Sequence, residues 1–152
     1  MTNTPRVVVF GYSEVGCAGF DLLCRRHAHI VGVFTHQDDP TEARWFRSVA
    51  ALATQAGVPV FTPASLADPE WESLICDRLR PDLICSLYYR HLIPTRLFRT
   101  AGLGAVNLHG SLLPKYRGRV PVNWAIIHGE IETGATLHQM TEKPDNGAII
   151  DQ

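Results

Sequence analysis

No excess of one charge marks this sequence. Its 152 residues carry 14 Lys and Arg against 15 Asp and Glu, a formal net charge of -1. A phosphate-binding face usually shows as a basic excess, so nucleic acid is not the expected partner. Charged residues are scarce, at 19%, whereas hydrophobic residues make up 45% of the chain, enough to bury a core. The length is that of one domain. Cysteine is sparse: Cys17, Cys24, Cys76 and Cys85 form no Cys-x-x-Cys pair and no Cys/His spacing typical of zinc. Reduced, largely buried thiols in a cytoplasmic protein are expected, with no metal site. No apolar run approaches the roughly 18 residues of a membrane span. Met1 to Arg6 is polar and enters an apolar run directly, unlike a secretory leader. There is no internal repeat and no low-complexity tract.

What the sequence does contain is a regular alternation of short apolar runs and amphipathic stretches. Val7-Val-Val-Phe10 reads as a buried strand, followed by a helix over Val15 to Arg26 with apolar residues near helical spacing. Ile30–Phe34 and Val58–Phe61 read as the next strands, with a helix over Thr41 to Gln55 between them and Gly57 just past its end. Asp68-Pro69-Glu70 combines a cap, a proline at the first helical position and an acid in the first turn, predicting a helix to about Leu79. Asp82–Ser86 and Gly104–Leu108 are further strands, with short helices over Pro94–Arg99 and Pro121–His128. Thr133–Met140 and Ala148–Ile150 read as two strands joined through an Asp145-Asn-Gly147 turn. This order implies an α/β fold: a mainly parallel sheet with helices on both faces. Ligands in such folds bind beyond the carboxyl ends of the strands, which singles out the loops after Phe10, Phe34, Ser86 and Leu108.

The first of these loops, Gly11-Tyr-Ser-Glu-Val-Gly16, is a dinucleotide fingerprint with its middle glycine replaced by Ser13. Asp38 stands near the position of a ribose-binding acid. The substitution is physically adverse, because the middle glycine lets backbone approach the pyrophosphate and Ser13 carries a Cβ. Glu14 would add a negative charge beside phosphates. The glycines are better read as serving a tight strand-to-helix turn.

The chemistry concentrates further on, in Val106-Asn-Leu-His-Gly-Ser-Leu-Leu-Pro-Lys-Tyr-Arg-Gly-Arg119. Asn107 and His109 are two apart at a strand end, so their side chains share one face of the sheet. An amide N–H can stabilise an oxyanion, and an imidazole can move protons on and off nitrogen. Either residue could equally be an ordinary strand-end hydrogen bonder. Asp145 lies in a Pro-Asp-Asn-Gly turn, where turn formation is the default role of Asp. Placed beside an imidazole, its carboxylate would orient that ring. No serine or cysteine sits in a nucleophile motif, and Ser111 lacks the nucleophile-elbow pattern. Direct attack by an amine therefore suits these residues better than a covalent enzyme intermediate.

The run Asn107 to Trp124, continued by Gly129-Glu130, Thr133-Gly-Ala-Thr-Leu-His138 and Asp145-Asn-Gly-Ala-Ile149, resembles the 10-formyltetrahydrofolate-dependent formyltransferases. That family includes enzymes acting on methionyl-tRNA, glycinamide ribonucleotide and sugar nucleotides. The resemblance covers nearly the whole chain and implies a Rossmann-like catalytic domain with an antiparallel strand pair near the C-terminus. It implies Asn107, His109 and Asp145 as the catalytic triad and 10-formyltetrahydrofolate as formyl donor. A narrower likeness, in Phe34-Thr-His-Gln-Asp-Asp-Pro40 and Ser86-Leu-Tyr-Tyr-Arg-His-Leu-Ile93, is to the formyltransferase domains of bifunctional polymyxin-resistance enzymes. It implies an amino-sugar nucleotide, UDP-4-amino-4-deoxy-L-arabinose of lipid A modification, as acceptor; the alternatives are another amine such as methionyl-tRNA, or folate or nucleotide binding without turnover. It also implies a folate site bordered by His91, Leu92 and Ile93, largely through backbone groups, and completed by Arg119 and by Thr141, Glu142, Lys143, Pro144 and Asp145. Leu92 and Ile93 would also suit plain packing. Tyr88, Tyr89 and Arg90 would suit either a partly buried loop or a sugar-nucleotide contact. Domains of this family usually continue into further helical structure, so residues 1–152 are expected to be a catalytic domain shortened at its C-terminal side.

Overall fold

Four consecutive apolar residues, Val7 to Phe10, can be buried on both sides only at the centre of a layered fold, and there the chain places them. The computed structural model describes residues 4–41, 43 and 45–152. Strand β1 (Arg6–Gly11) leads into α1 (Ser13–Arg25), β2 (His29–Phe34), α2 (Val49–Gln55) and β3 (Val60–Phe61). Helix α3 (Pro69–Glu72) continues with wider, π-type winding through Ser73–Leu79. Then come β4 (Leu83–Leu87), α4 (Thr95–Phe98), β5 (Ala105–His109), α5 (Pro121–Ile127), β6 (Thr136–Gln139) and β7 (Ile149–Asp151). The seven strands form one sheet in the order β3-β2-β1-β4-β5-β6-β7. Strands β1 to β5 are parallel, whereas β6 is antiparallel to β5 and β7 to β6. The mainly parallel α/β sheet with an antiparallel pair at its late edge is the one the sequence predicts.

Alternation along β1 supplies two cores. Val7 and Val9 face Cys17 and Phe20 of α1 and Val49 and Ala53 of α2. Val8 and Phe10 face the other way, onto Phe34, Ile75, Ile84, Leu97 and Phe98. This is the two-faced burial that parallel strands require. No helix among the described residues is long and apolar enough to cross a membrane.

Two local expectations are corrected. The helix expected over Thr41–Gln55 begins only at Val49; of its expected residues, Glu42 and Arg44 lie outside the described residues. The Ser48 hydroxyl accepts from the Ala51 N–H at 3.3 Å and starts the helix there. Just before it, the Arg47 guanidinium is drawn across to Glu14 and Asp21 of α1. Asp68 precedes α3 as expected, but its side chain makes no capping hydrogen bond. That end is served instead by Pro69 and the acids of the first turn.

The glycine loop after β1 is structural. A Cβ on Gly16 would lie 3.0 Å from the Gly11 carbonyl carbon and 3.1 Å from Val49, so glycine permits both the turn and the α1–α2 contact. Glu14 is bound to Arg47, and Asp38 accepts from the Ser48 hydroxyl at 2.8 Å. Position β1/β4 is where the strand order reverses, and the crevice beyond it is the usual ligand position in such sheets.

Phe10 is fully buried, stacked on Phe34 with ring centroids 4.6 Å apart and met edge-on by Tyr89. Replacing it, Phe10→Ala, should cost about 3–5 kcal/mol in urea unfolding, whereas Ile126→Ala, on an exposed position, should stay within about 0.5 kcal/mol. A Phe10→Ala loss below about 1 kcal/mol would contradict this placement of the core.

Candidate functional site

Strand β5 ends with Asn107 and His109 on one face, and the antiparallel β6 completes that face. In the β5/β6 register Asn107 lies opposite His138 and His109 opposite Thr136. Directly opposed residues present their side chains on the same side. The Asn107 amide N–H donates to His138 Nε2 at 3.2 Å. Between β6 and β7 the chain turns through Asp145, whose φ of +52° swings its carboxylate back over the two rings. Gly147 makes this approach possible, since a Cβ there would sit 1.9 Å from the Gln139 carbonyl oxygen. Asp145 Oδ1 lies 3.5 Å from His109 Nδ1 and 3.4 Å from His138 Nε2. Its Oδ2 accepts from the Gly118 N–H at 2.8 Å.

The outer nitrogens of both rings are occupied. His109 Nε2 lies 2.7 Å from the Tyr116 carbonyl oxygen, and His138 Nδ1 lies 2.8 Å from the Gln139 carbonyl oxygen. A carbonyl only accepts, so each of those nitrogens carries its hydrogen. The remaining nitrogens, His109 Nδ1 and His138 Nε2, both face Asp145. His138 Nε2 is already taken by the Asn107 N–H, so the position open to a further proton is His109 Nδ1, between its ring and the carboxylate. Side-chain exposure is 7% for His109, 2% for His138 and 12% for Asp145, so solvent screens these contacts little. His109 thus meets Asp145 directly, and Asn107 is joined to it through His138. Sequence reasoning missed His138 as a site residue. Alternation along Thr136-Leu-His-Gln marks which residues share a face, but the pairing of this strand with β5 is what brings that face to the site.

Of the other residues implied by the resemblance, all but Ile93 are exposed. His91 and Leu92 are exposed, Leu92 at 76%, while Ile93 is buried in the core beside Phe98 and Leu97. Tyr89, Ile93 and Met140 join the same core cluster, so the loop after β4 and the segment entering the 141–145 turn flank one region. Arg119, Thr141, Glu142, Lys143 and Pro144 are exposed; the Thr141 hydroxyl donates to the Lys143 carbonyl at 2.9 Å. Beyond β1 and β2, His36 stacks on Tyr89 at 4.3 Å, meets His91 edge-on, and accepts from the Arg90 N–H at 3.0 Å. The Arg90 guanidinium lies 4.4 Å from the centre of the Tyr12 ring. Tyr12, His36, Tyr89 and the Arg90 guanidinium form a packed aromatic ledge over the switch point, whereas the Tyr88 ring lies against Gly110; the Tyr89 hydroxyl is buried without a hydrogen-bond partner among the described residues.

Residues 6–152 match the family described as formyl transferase. Among solved structures, the chain is similar to phosphoribosylglycinamide formyltransferase from Brucella melitensis, with 28% identity, a TM-score of 0.72, and 98% of this chain against 78% of that one. A formyltetrahydrofolate deformylase from Pseudomonas syringae pv. tomato str. DC3000 is 26% identical at a TM-score of 0.78, over 99% of this chain and 50% of that one. A sugar 3N-formyl transferase, WlaRD, determined in the presence of dTDP and 5-N-formyl-THF, is 21% identical at 0.72, over 98% and 51% of the two chains, a likeness of fold.

Burial, followed by repulsion from His91 and Arg90, lowers the His36 imidazole to about 4. The unfolded ring takes its proton near 6.5, so the neutral, folded form contributes stability above that pH and loses it as pH falls toward about 4. The stability gap between the chain and its His36→Phe variant should therefore shift in favour of the variant from pH 7.5 to pH 5. Urea midpoints at the two pH values test this, and an unchanged gap would rule out a neutral, buried His36.

Proposed function

The chain belongs to the formyl transferase family, and on that premise we propose that it moves the formyl group of 10-formyltetrahydrofolate onto the primary amine of an amino-sugar nucleotide. The observation that carries this reading is the meeting of Asn107, His109, His138 and Asp145 at the carboxyl edge of β5. The donor fits the rim beside it. Exposed Leu92, backed by buried Ile93, offers an apolar ledge for a flat ring, and the 91–93 backbone and the 141–145 turn supply polar groups around it. The structural neighbours, a formyltetrahydrofolate deformylase and a sugar 3N-formyl transferase determined in the presence of 5-N-formyl-THF, support that assignment.

In the proposed reaction the substrate amine attacks the formyl carbon carried by N10 of the folate. A carbon–nitrogen bond forms, and the carbonyl electrons move onto oxygen. The Asn107 N–H donates to that oxyanion. The amine's proton passes to His109, at the nitrogen that faces Asp145, and from there to the departing N10. Asp145 stabilises the ring while it carries the proton, and His138, whose Nε2 accepts from Asn107, fixes the amide. The bond to N10 breaks, releasing the formylated amine and tetrahydrofolate. Arg119 and the 141–145 turn border the donor in this reading.

For the acceptor, we favour UDP-4-amino-4-deoxy-L-arabinose, an intermediate of lipid A modification and polymyxin resistance, on the likeness of the 34–40 and 86–93 segments. The Tyr12, Tyr89 and Arg90 ledge at the strand-order reversal offers stacking surfaces and a cation suited to a nucleotide. The balanced net charge of -1 supports a small nucleotide over a tRNA.

The purified chain should formylate this sugar nucleotide faster than glycinamide ribonucleotide or methionyl-tRNA when supplied with 10-formyltetrahydrofolate. Asn107→Ala and His109→Ala should each lower turnover by about 10²–10³-fold while the circular dichroism of the folded chain is retained. Near-normal turnover in both variants would remove the catalytic assignment. Preference for another amine would keep that assignment and discard the acceptor.

A further inference from the structure

The loop from Lys115 to Gly118 holds both ends of the His109–Asp145 contact through its backbone. The Tyr116 carbonyl accepts from His109 Nε2 at 2.7 Å, and the Gly118 N–H donates to Asp145 Oδ2 at 2.8 Å. Both residues take left-handed backbone, φ +54° at Tyr116 and +93° at Gly118. Glycine adopts that shape freely; a tyrosine keeps it only when surrounding contacts hold it. The holding contact is on the far side of the loop. The Tyr116 hydroxyl donates to Glu130 Oε1 at 2.7 Å, and Lys115 Nζ lies 3.4 Å from the same oxygen. The Tyr116 ring stacks on His128, and His128 on Trp124. An open cleft of about 420 Å³ lies beside this ring, lined also by Leu112, Pro114, Ile131 and Glu132. The ring therefore has space to swing away, and the phenol–carboxylate bond, with the stacking on His128, keeps it in place.

We propose that Glu130 is a positioning residue for formyl transfer: by holding the Tyr116 phenol it sets the backbone carbonyl and N–H that align His109 with Asp145. The mutual hydrogen bond raises the Tyr116 phenol and lowers the Glu130 carboxyl from their ordinary values, so the phenol stays the donor and the carboxylate the acceptor through neutral pH. This inference rests on the catalytic reading of His109 and Asp145, and deepens it, because neither Glu130 nor the Tyr116 side chain takes part in a chemical step.

The test compares Tyr116→Phe, Glu130→Ala, Glu130→Gln and the Tyr116→Phe/Glu130→Ala pair, assayed with 10-formyltetrahydrofolate and UDP-4-amino-4-deoxy-L-arabinose. Tyr116→Phe and Glu130→Ala should each lower kcat by about tenfold, with both KM values within about twofold of the parent, since a small misplacement of a reacting group acts on turnover. Glu130→Gln, whose amide oxygen still accepts from the phenol, should recover most of the loss. The pair should be no slower than either single change, because both remove one interaction. Independent, multiplicative losses, or single variants with parental kcat, would overturn the proposal. Asn107→Ala run alongside separates the two levels: if it too is fully active, the catalytic reading itself fails, whereas an inactive Asn107→Ala beside fully active Glu130 and Tyr116 variants sinks the positioning role alone.

Discussion

One carboxylate facing two imidazoles is the constraint around which this molecule is arranged. Asp145 could not hold its position as a turn residue alone. Its φ of +52° is unusual for a residue with a side chain, and its oxygens lie against His109, His138 and the Gly118 N–H. Three structural decisions serve that meeting. The sheet reverses direction after β5, so β6 can lay His138 opposite Asn107. Glycine stands at 147, where nothing larger fits beneath the turn. The 115–118 loop folds back to supply a carbonyl to one ring and an N–H to the carboxylate. Remove the antiparallel pairing and the acid has no route to the rings, although the parallel half of the sheet could remain intact.

The parallel half acts as a platform. Strand β1, at its centre, sends Val7 and Val9 into one helical layer and Val8 and Phe10 into the other. A shift of one residue would exchange these two sets, so register there is strongly specified. The rigid centre fixes β4 and β5 relative to each other through four residue pairs from Ile84–Ala105 to Leu87–Leu108. The aromatic ledge after β4 and the polar cluster after β5 thus open on the same edge.

Legibility in the sequence divided along the line between local and long-range causes. The buried strand at Val7–Phe10 was readable because a strand covered on both faces must be apolar throughout. Asn107 and His109 were readable because the two-residue period puts them on one face. Asp145 looked like a turn former from its neighbours, and only the family resemblance pointed to it. His138 escaped because its partner lies 31 residues away, and no local period encodes which strand pairs with which. The early half of the expected second helix failed for a similar reason: Arg47 is committed to Glu14 and Asp21, more than twenty residues distant, and Ser48 caps the helix late. The carbonyl of Tyr116 left no trace at all, since every residue carries one.

The order of the strands in the chain also sets an order in time. Translation delivers β1 through β4 first, a parallel block whose two apolar faces can already begin to pack against α1 to α4. The reversing strand and the turn with its acid come later, at residues 136–151. A growing polypeptide of this design can therefore begin to gather its hydrophobic interior before Asp145 has been made, and His109, His138 and Asp145 meet only after β6 has paired with β5.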